Sequence, residues 1–235
     1  YEFAGWSGAV SGSANPVEIV MDSSKSVTAA FTVKTYTLTT SATNGSVVRS
    51  PESTTYTHGS TVSLQAVAAE GYHFTGWSGA VTGSSNPVSL VMDASKSVTA
   101  AFAANAYTLS ISASNGTVTA NPSQATYTHG QVVTLTATPS TGYSFSSWSG
   151  DASGTAASTT ITMDANKSVT AAFTLNTYTL SISAANGTVT RDPEQATYTH
   201  GQTVTLTAVP ATGYSFSSWS GDLSGTVASA TITMD

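Results

Sequence analysis

The sequence repeats itself every 71 residues, and no insertion or deletion interrupts the period. All four tryptophans, all four methionines and three of the four histidines keep this step. These residues are Trp6, Trp77, Trp148, Trp219, Met21, Met92, Met163, Met234, His58, His129 and His200. A fixed period is typical of proteins that copy one structural element along the chain. Any pocket in one copy recurs in the next, which favours a scaffold or an adhesive array over an enzyme.

The charge balance excludes several classes of partner. Six basic and twelve acidic residues give the 235-residue chain a net charge of −6. Six basic side chains spread over this length cannot form a stripe that neutralises phosphates, so nucleic acid is not an expected partner. No apolar run approaches the length of a membrane span. Cysteine is absent, which excludes disulfides and thiolate metal sites.

Alternation of apolar and polar residues predicts strands throughout one repeat. Residues 178–183 alternate, as do residues 204–208, and residues 169–173 give the last strand of the preceding copy. The pair Asn186-Gly187 accepts positive φ and predicts a tight hairpin. Helical spacing is sustained nowhere, and β-branched residues are frequent. We therefore predict an all-β array in which each small domain has five to seven short strands.

Four segments follow from this reading. They are the C-terminal part of a repeat at 1–33, repeats at 34–104 and 105–175, and a repeat without its last strand at 176–235. Only four residues, such as 174–177, separate the last strand of one repeat from the first strand of the next. Such short linkers allow little relative motion, so we expect a semi-rigid rod.

The recurring aromatic residues are the expected core of each repeat. They are Trp6, Trp77, Trp148, Trp219, Tyr36, Tyr107, Tyr178, Phe31, Phe102 and Phe173. An exposed tryptophan could instead stack on a sugar ring. A small domain needs its largest side chain inside, however, so the core interpretation is favoured. Exposure of the tryptophans separates the two interpretations.

Polar residues offer no convincing reactive site. Histidine in the Tyr-Thr-His-Gly motif recurs without a second ligand, so we interpret it as a turn residue. Asp151 and Asp164 could contribute to a calcium site, but Ala9 and Ala80 replace the first of them in earlier copies, so turn capping is favoured. No distinctive set of Ser, His and Asp stands out. We expect no catalytic residue, cofactor or resident metal.

The two ends of the chain fall inside repeats. It begins at Tyr1 in the middle of one repeat, and it ends before the closing strand of another. One expectation is that the chain is an excised part of a longer array. The other is strand complementation between copies, because incomplete sheets expose backbone edges. In that case Lys25, Val27, Ala29 and Phe31 of one copy would supply the missing strand of another.

One group of motifs resembles a known family. The run Tyr178-Thr-Leu-Ser-Ile, the Asn186-Gly187 pair, the segments Tyr198-Thr-His-Gly and Trp219-Ser-Gly-Asp, and the closing strand from Lys167 to Phe173 are similar to divergent internalin-B-type (InlB) B-repeats of bacterial surface proteins. The resemblance implies a secreted or surface-attached protein, an architecture related to the β-grasp fold, and a role as stalk, spacer or adhesive array. It implies no catalytic residues.

These observations favour a structural, extracellular tandem-repeat protein, either a semi-rigid stalk or the subunit of a cell-surface filament. The expected partners are copies of the chain itself, with glycans or other cell-surface components as further candidates. The alternative is an adhesin that binds glycans or host protein through repeated aromatic or threonine faces.

Overall fold

The computed structural model describes all 235 residues and contains 23 β-strands and no helix. No helical segment capable of crossing a lipid bilayer is therefore present. The predicted all-β array of small repeated domains is confirmed. The chain divides into two compact units, Tyr1–Asn105 and Ala106–Asp235, which are described separately.

The first unit holds an incomplete repeat, repeat 1, and a complete one, repeat 2. Repeat 1 contributes an antiparallel hairpin of β1 (Glu2–Gly8) and β2 (Val27–Thr32). Repeat 2 comprises β3 (Thr35–Tyr36), β4 (Leu38–Ala42), β5 (Gly45–Ser50), β6 (Tyr56–Thr57), β7 (Thr61–Ala68), β8 (Tyr72–Gly79), β9 (Val88–Val91) and β10 (Lys96–Ala104).

The second unit holds repeats 3 and 4. Repeat 3 comprises β11 (Ala106–Tyr107), β12 (Leu109–Ala113), β13 (Gly116–Asn121), β14 (Tyr127–Thr128), β15 (Gln131–Pro139), β16 (Tyr143–Gly150), β17 (Ser158–Met163) and β18 (Lys167–Leu175). Repeat 4 comprises β19 (Thr177–Tyr178), β20 (Gly187–Asp192), β21 (Tyr198–Thr199), β22 (Thr203–Pro210) and β23 (Ser229–Thr233).

Each complete repeat has eight strands, one more than the largest number predicted. Two of the eight are only two residues long, too short to be recognised from alternation in the sequence. In repeat 2 the longer strands form two sheets, β4-β10-β8 and β5-β7-β9, and β3 pairs with β6. Repeat 3 has the same order, with β12-β18-β16, β13-β15-β17 and the pair β11-β14. The first and last long strands of each complete repeat, β4 with β10 and β12 with β18, run parallel, whereas every other pairing is antiparallel.

Side chains from both sheets of a repeat meet in one core. In repeat 2, Val62 and Leu64 of β7 are fully buried beside Val98 of β10 and Met92. The equivalent residues of repeat 3 form a second cluster of the same kind. The burial of β7 alternates along the strand, as expected for a sheet with one inward face. The period-two pattern of the sequence therefore identifies the inward residues.

The Asn-Gly pair makes a different connection from the predicted hairpin. Asn44 has a φ of 63°, so the expected positive φ is present. The turn nevertheless joins β4 to β5, which belong to different sheets. Gly45 lies against the ring of Phe102, and a Cβ added there would be 2.6 Å from its Cζ. The glycine is required because the chain crosses from one sheet to the other directly over a core aromatic ring.

Candidate functional site

The tryptophan of each complete repeat lies inside the repeat. Trp77 and Trp148 are only 5% and 4% exposed. The Nε1 of Trp77 donates to the carbonyl oxygen of Ser85 at 2.9 Å, and Trp148 makes the same bond to Ala156 at 2.9 Å. A ring that stacks on a sugar must present an open face. These two indoles present none, so they cannot form a row of sugar platforms.

An aromatic ladder connects each tryptophan to the last strand of its repeat. In repeat 2 the ring of Phe74 lies 5.1 Å from Trp77 and 5.7 Å from Phe102, measured between centroids. The equivalent rings of repeat 3 are separated by the same distances. Tilted and edge-on contacts of this kind add to the stabilisation from burial. The ladder holds the last strand against the Trp-containing strand.

The incomplete repeats hold the same residues less tightly. Trp6 and Trp219 are half-buried, although both keep the 2.9 Å bond from Nε1 to a carbonyl oxygen eight residues later. Phe31 is 61% exposed, in contrast to the half-buried Phe102 and Phe173. Burial of these aromatics therefore requires all the strands of a repeat.

The most deeply buried tyrosine is one that the sequence reasoning missed. Tyr36, Tyr107 and Tyr178 are half-buried, with ring centroids about 6 Å from the histidine of the same repeat. Buried instead are Tyr56, Tyr127 and Tyr198, of which Tyr198 is fully buried. The hydroxyl of Tyr198 donates to the carbonyl oxygen of Pro193 at 3.0 Å. The alternation Tyr-Thr in Tyr-Thr-His-Gly was the available signal, since it turns the ring inward and the threonine outward.

A single residue connects repeats 3 and 4. Four linker residues were predicted, but 174–175 extend β18 and Thr177 begins β19, which leaves only Asn176. Its backbone N donates to the carbonyl oxygen of Gly142 at 2.8 Å, and its Oδ1 accepts from Ser144 Oγ at 2.6 Å. Its own carbonyl oxygen accepts from the backbone N of His200 at 3.0 Å. Asn176 is therefore bonded to both repeats.

His200 completes this junction by packing against Gly142. A side chain at Gly142 would overlap the His200 ring, and the glycine has a φ of +81°. The Nδ1 of His200 is buried and makes no hydrogen bond. The motif Tyr-Thr-His-Gly was interpreted only as a turn. In repeat 4 its histidine also forms part of the contact with the preceding repeat.

The first unit contains parts of the same arrangement. Asn105 follows β10 as Asn176 follows β18, and its N donates to the carbonyl oxygen of Gly71 at 2.7 Å. Its Oδ1 lies 2.9 Å from the Nδ1 of His73. Lys34 occupies the corresponding position after β2, and its carbonyl oxygen accepts from the backbone N of His58 at 2.8 Å. The residue at this position is thus held by at least one backbone hydrogen bond in each case.

The carboxylates of the closing turn are paired with lysines. Asp93 lies 2.8 Å from Lys96, and Asp164 lies 2.7 Å from Lys167. The hydrogen bond from the lysine holds the pKa of each carboxyl below its usual value. Asp151 Oδ2 accepts from the backbone N of Ser168 at 2.7 Å. No group of three or more metal-ligating side chains converges in the structure, so these carboxylates act as caps and ion-pair partners.

Repeat 4 contains a groove where the complete repeats have their last strand. Its volume is about 420 Å³, and its lining includes Leu180, Ile182, Phe216 and Trp219. In repeat 3 the equivalent segments are β12 and β16, and β18 lies between them. The segment 180–184 forms no strand in repeat 4.

The predicted complementing strand lies elsewhere, in repeat 1. Lys25 precedes β2 and pairs with Asp22 at 2.7 Å, and Val27, Ala29 and Phe31 lie on β2. This strand pairs with β1 along one edge only.

Comparison with known proteins identifies one domain four times along the chain. The family model of the divergent InlB B-repeat domain matches residues 1–35, 36–106, 107–177 and 178–235. A search of curated proteins found no match.

Proposed function

The chain belongs to the divergent InlB B-repeat domain family, and on that premise we propose that it serves as a semi-rigid stalk in a bacterial surface protein. Tandem repeats of this family are typical of surface or secreted proteins, and the family is generally not enzymatic. The role proposed for this chain is accordingly mechanical and not catalytic. The chain would hold another part of the protein away from the cell.

The observation that carries the proposal is the junction between repeats 3 and 4. A flexible tether needs several residues free of backbone hydrogen bonds. Here the link is one residue, Asn176, and both its backbone groups are bonded, one to each repeat. The His200 ring against Gly142 further restricts rotation about this link. Repeats joined in this way transmit bending and tension instead of absorbing them.

Distance measurements between spin labels test this stiffness. The chain has no cysteine, so labels can be attached at Thr119→Cys and Thr190→Cys, two equivalent exposed strand positions of repeats 3 and 4. We expect a narrow distribution of label-to-label distances in the labelled chain without an insertion. Insertion of Gly-Ser-Gly-Ser after Asn176 should broaden it. The pair Thr119→Cys and Thr170→Cys lies within repeat 3 and controls for motion of the labels themselves.

A distribution as broad before the insertion as after it would overturn the stalk proposal. It would favour the alternative of an adhesin whose repeats move independently. The tryptophans are an unsuitable ligand surface for such an adhesin in repeats 2 and 3 because their rings are buried. A ligand would have to use the threonine faces of the sheets or bind as a protein.

A second candidate function is assembly into a filament by exchange of closing strands between copies of this chain. The observation that favours it is the sequence Lys-Ser-Val-Thr-Ala-Ala-Phe of Lys25–Phe31, which is identical to the closing strands of repeats 2 and 3. We propose that Lys25–Phe31 of one copy takes the place of a closing strand in a second copy, where it pairs with the first long strand of a repeat.

Light scattering during size-exclusion chromatography tests the filament. The chain should form oligomers as its concentration rises, and Phe31→Ser should prevent this. Val132→Ser removes an exposed apolar residue of β15, outside the groove and β2, and should leave assembly unchanged. A chain that stays monomeric at all concentrations contradicts the filament but leaves the stalk untouched.

A further inference from the structure

We propose that each complete repeat is a tension-bearing module whose parallel first and last strands form a shear clamp. The inference deepens the proposed stalk function and rests on it for the source of the tension. It concerns repeats 2 and 3, where the strand pairs β4-β10 and β12-β18 are both present.

The direction of the two strands determines how force acts on them. Within repeat 2 the chain enters the clamp at the start of β4, one residue after β3, and leaves it at the end of β10. Because these strands are parallel neighbours, a pull on the two ends of the repeat drives them in opposite directions along a common axis. All the hydrogen bonds of the ladder are then strained together. In an antiparallel pair the two ends would leave on the same side, and the bonds would open one at a time.

The register shows how much of the clamp is engaged. In repeat 2 it runs over five consecutive pairs, from Leu38 opposite Lys96 to Ala42 opposite Ala100. Repeat 3 has five pairs as well, from Leu109 opposite Lys167 to Ala113 opposite Ala171. The two modules are therefore equivalent in their main-chain contacts.

The central position of the last strand adds to its resistance. Strand β10 pairs with β4 on one side and with β8 on the other, where its partners run from Gly79 to Tyr72. Lengthwise displacement of β10 thus disrupts two ladders. It also moves Val98 and Ala100, which are almost fully buried, out of the core. Exposure of this apolar surface opposes the displacement.

A side-chain latch lies where force enters the clamp. In repeat 3 the backbone N of Thr108 donates to Asn166 Oδ1 at 2.9 Å, and its hydroxyl donates to the same atom at 3.2 Å. The N of Lys167 donates back to the carbonyl oxygen of Thr108 at 2.9 Å. Repeat 2 has Thr37 and Ser95 in these places, with bonds of 3.2 and 3.3 Å. Each latch ties the residue before the first strand to the turn before the last.

Single-molecule pulling in two directions tests the clamp within the full chain. Handles at Lys34→Cys and Ala104→Cys load repeat 2 in shear. Handles at Thr43→Cys and Ala104→Cys pull the same ends of β4 and β10 apart and peel the ladder. All three positions are exposed. We expect a several-fold higher unfolding force in shear than in peeling at the same pulling rate.

The extension released on unfolding identifies the event. It should approach 250 Å in shear and 220 Å in peeling, from about 3.6 Å for each residue between the handles. Both proteins share Ala104→Cys and the same fold, so global stability cancels in the comparison. Equal forces in the two directions overturn the clamp. They leave the stalk intact, because the label distances between repeats 3 and 4 measure the junction and not the resistance of a module.

A second variant tests the latch by pulling the whole chain from its ends. Asn166→Ala should lower the unfolding force of one of the two complete repeats and leave the other unchanged, since Ser95 of repeat 2 is intact. Ser112→Ala removes an exposed hydroxyl of β12 and serves as the matched control. A trace in which Asn166→Ala behaves like Ser112→Ala contradicts the latch.

Discussion

Replacement of Trp148 by alanine should remove a large part of the stability of repeat 3. The side chain is almost fully buried and contacts Phe145 at a centroid distance of 5.1 Å. Truncation of a buried tryptophan costs about 3–5 kcal/mol. A module of this length is stable by roughly 3.5–11 kcal/mol, taking the usual range per residue. The substitution therefore removes a large share of the free energy of unfolding of repeat 3.

The structure contains a matched control for this substitution. Trp219 makes the same Nε1 bond, to the carbonyl oxygen of Val227 at 2.9 Å, but its ring is only half-buried beside the groove of repeat 4. Because the cost scales with the apolar area removed from water, we expect Trp219→Ala to cost about half as much. The difference isolates the contribution of the closing strand, which covers the ring in repeat 3.

Hydrogen exchange followed by mass spectrometry is the suitable assay, because a multi-repeat chain does not unfold in one step. Peptides from β15, and peptides from β18 that extend to Thr174-Leu175 where its sequence differs from that of β10, report on repeat 3 separately from the others. In the Trp148→Ala chain their exchange should accelerate by roughly a hundred- to several-thousand-fold, which is 3–5 kcal/mol at about 1.4 kcal/mol per tenfold. Peptides of repeat 2 should not change. An acceleration below tenfold, or one equal to that of Trp219→Ala in repeat 4, would refute the assignment of Trp148 to a closed core.

Three further predictions follow from individual contacts. Gly142→Ala should shift the label distance between Thr119→Cys and Thr190→Cys, because the new Cβ meets the His200 ring. Gly213 is the control, since it has a similar φ of +86° and a Cβ there would have no atom within 4 Å. Gly213→Ala should therefore only strain its own turn, by about 1–2 kcal/mol. Tyr127→Phe should destabilise repeat 3 by about 1–3 kcal/mol, measured by exchange of β15, because the backbone N of Gln124 and the carbonyl oxygen of Pro122 lose their partner. Asp164→Asn should lower the stability of repeat 3 at neutral pH but not in acid. The hydrogen bond from Lys167 lowers the pKa of the Asp164 carboxyl in the folded state. The stabilising contribution of this ion pair is therefore present above the unfolded pKa of about 3.9 and is lost as the pH falls through the folded pKa.

The sequence predicts local structure in this chain better than it predicts pairing. Alternation located β22 and its inward residues Val204 and Leu206, because a half-buried strand has a period of two. The parallel contact of β4 with β10 was not predicted. The latch residues Thr37 and Ser95 are 58 positions apart, and no local pattern encodes which distant strand completes a sheet. The relation to the β-grasp fold, implied by the family resemblance, stays a prediction.

The errors have the same origin. Asn186-Gly187 was interpreted as a hairpin because the dipeptide fixes the backbone angles, and the positive φ is indeed found at Asn186, as it is at Asn44. Dihedral angles do not determine whether the next strand remains in the same sheet, and the ring of Phe102 beneath Gly45 could not be known in advance. Tyr56 was missed for a related reason. Its strand is two residues long, so the Tyr-Thr alternation covers a single pair and is a weak signal, and the burial itself comes from distant parts of repeat 2.

Because the closing strands have the same sequence, the correct pairing of each with its own repeat must be specified by something else, and the short junction between repeats specifies it. Lys25–Phe31, Lys96–Phe102 and Lys167–Phe173 have one sequence, so each could pair with the first strand of any repeat at similar energy. Only the connectivity distinguishes them, and exchange between repeats is a common failure of such arrays. A long linker would let β18 reach a first strand other than β12. The one-residue link at Asn176, bonded to Gly142 and His200, instead fixes the end of β18 beside its own β16, where Tyr143 pairs with Leu175. The same short connection that stiffens the proposed stalk therefore also specifies the correct partner for its closing strand. Lengthening it should increase exchange between repeats as well as bending.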